Sequence, residues 1–148
     1  MLNIERQILD ISETEALVVK LCENLEAGDI FLLKGELGVG KTTFSRFLIN
    51  NLYKLNQLPK PSLIPSPTYP ILLTYDLKSY EVYHYDLYRI KHIRELEELD
   101  FFENIKDSIT LVEWPELIIE NKFLEKYYLI NLDLYANNKR IISIKHIG

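Results

Sequence analysis

A glycine-rich segment at a strand-to-helix junction constrains this chain more than any other feature. Residues 35–42 read GELGVGKT, which fits the pattern G-x-x-x-x-G-K-[ST]. The short apolar run 29–34 suits a buried strand, and residues 42–52 carry apolar side chains at helical intervals. A strand, a glycine-rich loop and a helix in this order predict a phosphate-binding loop in an α/β fold.

The residue types in this loop meet the needs of a nucleoside triphosphate. Glycines let the backbone wrap a phosphate chain so that successive N–H groups point at its oxygens, and the helix start adds partial positive charge. Lys41 can reach the β- and γ-phosphates, and the Thr42 hydroxyl can ligate Mg²⁺. The predicted nucleotide contacts in the loop are Gly35, Gly38, Val39, Gly40, Lys41, Thr42 and Thr43.

Length and composition limit the class of protein. The 148 residues suit one domain, 1–148, which at that size buries roughly 70% of its unfolded surface. The single cysteine, Cys22, excludes an internal disulfide framework, and we find no apolar run that suggests a signal peptide or a membrane span. A net charge of −5 argues against a protein that holds nucleic acid by its own surface field. We therefore expect a cytoplasmic protein whose link to RNA, if any, is indirect.

The other segments alternate between helical and strand patterns. Residues 12–15 read SETE, a capping box that predicts a helix from there to about Glu26. Four prolines make residues 56–67 a loop, after which two β-rich runs, 69–77 and 80–86, predict a hairpin. Further predicted elements are a helix over 93–104, a buried strand over 108–114, a short helix opened by Pro115, and strands over 127–134 and 140–145. Together they predict a three-layer α/β/α domain of the P-loop NTPase type with a mixed, partly antiparallel sheet.

Two acidic residues follow β-forming runs. Asp86 ends the run 80–86, and Glu113 ends the run 109–113. Because phosphates sit at the carboxyl edge of such a sheet, both side chains can come to the same edge as Lys41. There they can hold Mg²⁺ or orient a water molecule, and the alternative is that each acid only ends a strand at solvent.

Residues 93–104 combine five acidic side chains with apolar ones. The pattern is typical of an amphipathic helix with a solvated face, and a partner-binding surface is the alternative. The three histidines show no ligand spacing that suggests zinc, so we interpret them as structural or solvated. Arg89 can support a phosphate or pair with an acid, and Tyr85 and Tyr88, which flank Asp86, can line the site.

With these motifs in place, the chain resembles the TsaE family, also called YjeE, of small bacterial P-loop ATPases needed for the threonylcarbamoyladenosine modification of tRNA. The resemblance covers nearly the whole chain. It rests on GELGVGKTTF at 35–44, SPTY at 66–69, YHYDLYR at 83–89 and LVEWPE at 111–116. The first block is common to many P-loop proteins, whereas the other three, in this order, are far more specific.

The resemblance implies roles for individual residues. Lys41 and the loop amides would bind ATP, Thr42 and Glu113 would ligate Mg²⁺, and Asp86 would orient or deprotonate the attacking water. Residues outside the loop that would contact or sense the nucleotide are Thr14, Thr68, Trp114 and Arg140. For Trp114 the alternative is an ordinary core aromatic. Family members commonly carry Thr or Ser where this chain has Pro70. The proline removes a hydroxyl and stiffens the backbone around Thr68, in the part of the chain that resembles the family's switch loop.

Three function classes follow. The first is an accessory ATPase acting on the TsaB and TsaD subunits of the tRNA-modifying complex, as the resemblance implies. The second is a small-molecule kinase, which five arginines and no arginine-rich segment support only weakly. The third is a GTP-controlled switch, which would be expected to carry an N-K-x-D motif, but Asn121-Lys122 is followed by Phe123-Leu124.

Overall fold

The computed structural model describes residues 2–148. They form one mixed β-sheet with helices packed against it. Its strands are β1 (Ile4–Leu9), β2 (Ile30–Lys34), β3 (Leu72–Asp76), β4 (Glu81–Asp86), β5 (Ser108–Glu113), β6 (Tyr127–Ala136) and β7 (Lys139–Ile147). The strand order is β1-β7-β6-β2-β5-β4-β3. Pairing is parallel for β2 with β5 and β6 and for β4 with β5, and antiparallel elsewhere. The predicted α/β fold with a partly antiparallel sheet is confirmed.

Helices cover both faces of the sheet. They are α1 (Ile11–Leu21), followed by a 3₁₀ turn (Cys22–Asn24), α2 (Lys41–Leu55), α3 (Ile93–Glu98), α4 (Phe101–Asn104) and α5 (Glu116–Glu120). One apolar core lies between the sheet and α1 with α2, and includes Val18, Phe44 and Leu48. A second core lies on the opposite face, where Leu96, Phe101 and Ile118 pack. Two cores separated by one sheet make the three layers that the pattern predicts.

The central strands are buried because helices cover both of their faces. In β2 the four residues Ile30, Phe31, Leu32 and Leu33 are all buried, and every residue of β5 is buried. The sequence of β2 is therefore a continuous apolar run rather than an alternating one, whereas β5 also contains buried serine, threonine and glutamate side chains. This rigid centre fixes the position of the loop that follows β2.

Several predicted boundaries are wrong. Asp10, not Ser12, caps α1, because its carboxylate accepts a hydrogen bond from the Glu13 amide at 2.8 Å. The helix predicted over 93–104 is broken into α3 and α4 at Asp100, which has a φ of 53°. Pro115 precedes α5 as its cap instead of occupying the first turn.

β1 is not among the elements predicted from the sequence. Its residues are mostly exposed, so the strand lacks the apolar alternation that would identify it. β1 pairs with β7, and Leu9 lies opposite Arg140. The strand matters for the site because it sets the start of α1, and with it Thr14, beside the final hairpin.

No helix in residues 2–148 is both long and apolar enough to cross a membrane.

We predict that Cys22 is unreactive in the folded protein. The residue is buried, and burial raises the pKa of its thiol to about 11. At about pH 8 the reactive thiolate is then about one molecule in a thousand. Ellman's reagent should modify Cys22 slowly in native buffer and at once in denaturant. Equal rates in the two conditions would contradict this burial.

Candidate nucleotide-binding site

The glycine-rich loop joins β2 to α2 and presents backbone donors. Gly40 caps α2 with a φ of 114°, a conformation that L side chains rarely adopt. No side chain caps this helix start, and the first intrahelical bond runs from the Phe44 amide to the Gly40 carbonyl. The amides of the first turn are thus left for an external acceptor, as an anion site at a helix N-terminus requires.

Gly35 is needed for space. A Cβ at this position would lie 2.6 Å from the Leu132 carbonyl oxygen and 2.7 Å from a Val39 methyl group. β6 therefore passes directly against the start of the loop. The close approach fixes where the loop leaves the sheet.

The Lys41 ammonium lies at the centre of the site. It donates hydrogen bonds to the Gly35 and Glu36 carbonyls at 2.5 and 2.9 Å and sits 4.0 Å from the centre of the Trp114 ring. Burial lowers the pKa of Lys41, and the nearby Glu113 and Asp86 carboxylates oppose that shift. A cation held between carbonyls, carboxylates and an aromatic face is placed to meet an anionic ligand.

Glu113 lies beside the start of α2. One carboxylate oxygen accepts a hydrogen bond from the Thr42 hydroxyl at 2.8 Å, and the other lies 2.5 Å from Nε2 of His84. Glu113 is 3% exposed and His84 is fully buried, so their contact is shielded from water, whereas Thr42 is partly exposed. A hydroxyl and a carboxylate at this spacing form an oxygen-rich pair of the kind that suits Mg²⁺.

Asp86 lies next to Glu113 because β4 and β5 run parallel with these two residues in register. One of its oxygens accepts from the Tyr88 amide at 2.9 Å, and the other accepts from the Thr68 hydroxyl at 3.1 Å. Thr68 is also 2.7 Å from the Ser66 hydroxyl. Asp86 thereby connects the sheet edge to the segment 66–71, which we call the switch segment.

Arg89 holds the backbone of the switch segment. Its guanidinium donates to the Thr68 carbonyl at 2.8 Å and to the Tyr69 carbonyl at 2.5 Å. The predicted pairing of Arg89 with an acid is therefore not observed among the described residues, and its contact with a phosphate stays a prediction. The segment ends in a turn in which the Ile71 amide donates to the Pro67 carbonyl at 2.7 Å, and Ile71 has a φ of 69°. A positive φ is unusual for a β-branched residue.

Trp114 follows Glu113 and is also in the left-handed region, with a φ of 57°. This backbone turn brings its ring over Lys41 and 4.9 Å from the ring of Tyr88. Bulky residues rarely adopt this conformation, which is concentrated at ligand sites. Trp114 is half-buried at the mouth of the site rather than a core aromatic.

Two adjoining cavities lie along the loop. The larger, about 570 Å³, is lined by Lys41, Thr42, Thr68, Asp86, Glu113 and Trp114, among others. The smaller, about 100 Å³, is mostly apolar and is bordered by Thr14 and Arg140. Gly40 and Thr43 line both cavities. All the predicted residues outside the loop therefore border one or other of these adjoining cavities, which together we call the groove.

Thr14 and Arg140 also have structural contacts. The Thr14 hydroxyl donates to the Asp10 carbonyl at 2.7 Å, within the first turn of α1. Nε of Arg140 donates to the Val39 carbonyl at 2.8 Å and so ties β7 to the loop. The geometry places both residues beside the groove.

His84 is the residue that the sequence reading misses. The sequence predicts a structural or solvated histidine; His84 is fully buried, so the solvated alternative is wrong, and it contacts Glu113. Its position two residues before Asp86 on one strand was the available signal, since such residues share a face. Tyr88 lines the larger cavity, whereas Tyr85 packs in the core against Phe101, on the opposite face of the sheet.

Comparison with solved structures supports the fold class. The crystal structure of Bacillus subtilis YdiB superposes with a TM-score of 0.70 and covers 98% of this chain and 88% of that one, at 24% sequence identity. The sheet, the glycine-rich loop and the helix that follows it place the chain in the P-loop class of α/β folds.

Sequence comparison defines the family. Residues 8–142 match the family described as "Threonylcarbamoyl adenosine biosynthesis protein TsaE". The "tRNA threonylcarbamoyladenosine biosynthesis protein TsaE" of Rickettsia conorii is 40% identical to this chain over 132 residues, which are 89% of this chain and 72% of the relative. The one from Aquifex aeolicus is 30% identical over 142 residues, 95% of this chain and 96% of the relative. The chain belongs to the TsaE family, whose members serve tRNA threonylcarbamoyladenosine biosynthesis.

We predict that Gly35→Ala disrupts the loop. The added methyl would meet the Leu132 carbonyl, and overpacking of this kind costs about 1–3 kcal/mol. Both the melting temperature and the affinity for ADP should fall, as measured by thermal denaturation and calorimetry.

Gly28→Ala is the control variant. Gly28 also has a constrained backbone, with a φ of 100°, but it precedes β2 and so lies at the opposite end of this strand from the glycine-rich loop. It should lower the melting temperature through backbone strain and leave ADP binding unchanged. Normal ADP binding by Gly35→Ala would contradict the predicted role of this close contact.

Proposed function

We propose that this protein is a Mg²⁺-dependent ATPase that acts as an accessory factor in threonylcarbamoyladenosine modification of tRNA. The observation that carries the proposal is the convergence of Lys41, Thr42, Asp86 and Glu113 on one cavity. A cation, a hydroxyl and two carboxylates at a helix N-terminus are the groups that phosphoryl transfer to water requires.

The groove suggests how ATP would bind. The triphosphate would occupy the larger cavity, where the Lys41 ammonium and the uncapped amides of α2 are available to anions. The purine would enter the smaller cavity, whose apolar lining includes Phe44 and Phe47 and whose border carries Thr14 and Arg140. Gly40 and Thr43, shared by both cavities, would lie beside the junction of phosphate and ribose.

Thr42 and Glu113 are the residues that would hold Mg²⁺. Their oxygens are 2.8 Å apart, and hydroxyl and carboxylate oxygens are ligands that this ion prefers. The bound ion would neutralise charge on the β- and γ-phosphates.

Asp86 would act on the attacking water. It is 4% exposed, each of its oxygens already accepts one hydrogen bond, and further lone pairs remain for a water molecule. Its fixed carboxylate would orient that water and accept its proton. Because Thr68 donates to the same carboxylate, the state of the switch segment would be coupled to the state of this group.

The composition of the cavity favours an accessory ATPase over a kinase. Among the described residues, no arginine lines the larger cavity: Arg89 donates to backbone carbonyls, and Arg140 borders the neighbouring cavity. A kinase would need cationic groups for a phosphorylated acceptor, and fast hydrolysis would need an arginine finger. A partner can supply that charge, and the exposed apolar side chains of Leu37 and Tyr69, in the loop and the switch segment, suit a protein contact. We propose TsaB and TsaD as the partners, with tRNA contacted only indirectly.

We predict that one substitution weakens ATP binding and that another slows hydrolysis without weakening binding. Lys41→Ala should lower ATP affinity by about tenfold or more, because it removes the buried cation from the phosphate cavity. Asp86→Asn should bind ATP nearly as wild type, since the amide can still meet Tyr88 and Thr68, but should hydrolyse it about a hundredfold more slowly. Calorimetry and phosphate release measure the two quantities. Wild-type hydrolysis by Asp86→Asn would exclude Asp86 as the group that acts on water.

We predict that hydrolysis depends on partners. The isolated protein should release phosphate slowly, and addition of TsaB and TsaD should raise the rate by about tenfold or more. A steady-state assay with each subunit alone and with both would measure this, and a reconstituted tRNA modification assay would test the biological role. If the isolated chain hydrolysed ATP as fast as it does with both subunits present, partner activation would be ruled out.

A further inference from the structure

His84 is the buried polar side chain closest to the proposed machinery with no role assigned so far. It is 0% exposed, and its Nε2 lies 2.5 Å from an oxygen of Glu113, which is 3% exposed. The contact joins β4 to β5 inside the core that α2 covers. A polar contact at such depth is costly unless both groups are well paired, so it needs an explanation.

Strand register accounts for the contact. His84 lies opposite Leu111, and Asp86 lies opposite Glu113, in the parallel pair of β4 and β5. His84 and Asp86 share one face of β4, because residues two apart on a strand point the same way. His84 therefore reaches Glu113 diagonally across the strand pair.

The hydrogen-bond pattern assigns the donor. Nδ1 of His84 is buried and has no partner, whereas Nε2 faces a carboxylate oxygen, which can only accept. A proton on Nε2 gives the carboxylate its donor and leaves Nδ1 as an unpaired acceptor. A proton on Nδ1 would instead leave a buried donor unpaired and set two acceptors against each other.

The two oxygens of Glu113 thus have separate partners. His84 occupies one, and the Thr42 hydroxyl meets the other at 2.8 Å. Without His84 the Thr42 hydroxyl would be the one side-chain donor to this carboxylate left among residues 2–148, and the carboxylate could rotate about that single contact. The chain His84–Glu113–Thr42 runs from the core to the start of α2 and fixes which oxygen faces the phosphate cavity.

We propose that His84 is a positioning residue that holds the Glu113 carboxylate ready for Mg²⁺ and so determines how strongly the ion enhances nucleotide binding. The inference rests on the proposed function, because it assumes that Glu113 and Thr42 hold the metal. Partners that orient a metal ligand in this way typically change metal affinity by about ten- to a hundredfold.

The test separates metal-dependent from metal-independent binding. ADP affinity is measured by calorimetry in Mg²⁺ and in EDTA for wild type, His84→Leu and His84→Gln. Leucine has no donor, whereas the glutamine amide can donate from a similar distance. His84→Leu should lose about tenfold or more of the Mg²⁺ enhancement and keep its affinity in EDTA, and His84→Gln should restore most of the loss.

Val82→Ala is the control for general loosening of β4. Val82 is fully buried two residues before His84 and lines neither cavity, so this variant should melt earlier and keep the full Mg²⁺ enhancement. Loss of the enhancement in Val82→Ala would overturn the specific role of His84.

The remaining outcomes distinguish the two proposals. Equal wild-type affinity in Mg²⁺ and EDTA would contradict the metal-dependent function and the positioning role with it. If the wild type shows the Mg²⁺ enhancement of ADP affinity and His84→Leu retains it in full, only the positioning role is overturned.

A second measurement needs no substitution at His84. With three histidines in the chain, the imidazole ¹H–¹⁵N spectrum can be assigned, and it should show His84 protonated on Nε2 and protected from exchange. Protonation on Nδ1 would overturn the proposal, because Nε2 could then give Glu113 no hydrogen bond.

Discussion

Parallel pairing of three strands is the constraint on which the rest of the structure depends. β5 pairs with β2 on one side and with β4 on the other, so the carboxyl ends of all three meet at one edge. β2 delivers the glycine-rich loop to that edge, β5 delivers Glu113, and β4 delivers Asp86. Polar groups more than seventy residues apart along the chain thereby come within hydrogen-bonding reach, as the contact between Thr42 and Glu113 shows. The buried apolar runs behind them make this edge rigid.

This constraint explains why much of the site could be predicted from the sequence. A glycine-rich loop identifies itself by residue type, and an acid at the end of a β-forming run needs only the parallel rule to be placed beside it. The hairpin of β3 and β4 and the final pair of β6 and β7 were likewise readable from their turns and β-rich runs. Family resemblance supplied Thr14 and Arg140, which spacing alone does not single out.

The features that could not be predicted depend on tertiary contacts. β1 is stabilised by its pairing with β7 rather than by an apolar pattern of its own. The break at Asp100 and the left-handed turns at Ile71 and Trp114 oppose local preference, so packing must maintain them. Arg89 and His84 have side chains with many possible partners, and only the folded chain shows that one holds two carbonyls and the other a carboxylate.

The hydrogen bond from Arg140 to the Val39 carbonyl has a consequence for how the protein is made. The two residues are 101 positions apart, and β6, whose Leu132 carbonyl abuts Gly35, also follows the loop by almost the same distance. During synthesis the loop leaves the ribosome long before the strands that brace it. The groove therefore assembles late, and a nascent chain that has not yet made β7 lacks the hydrogen bond that ties this strand to the glycine-rich loop.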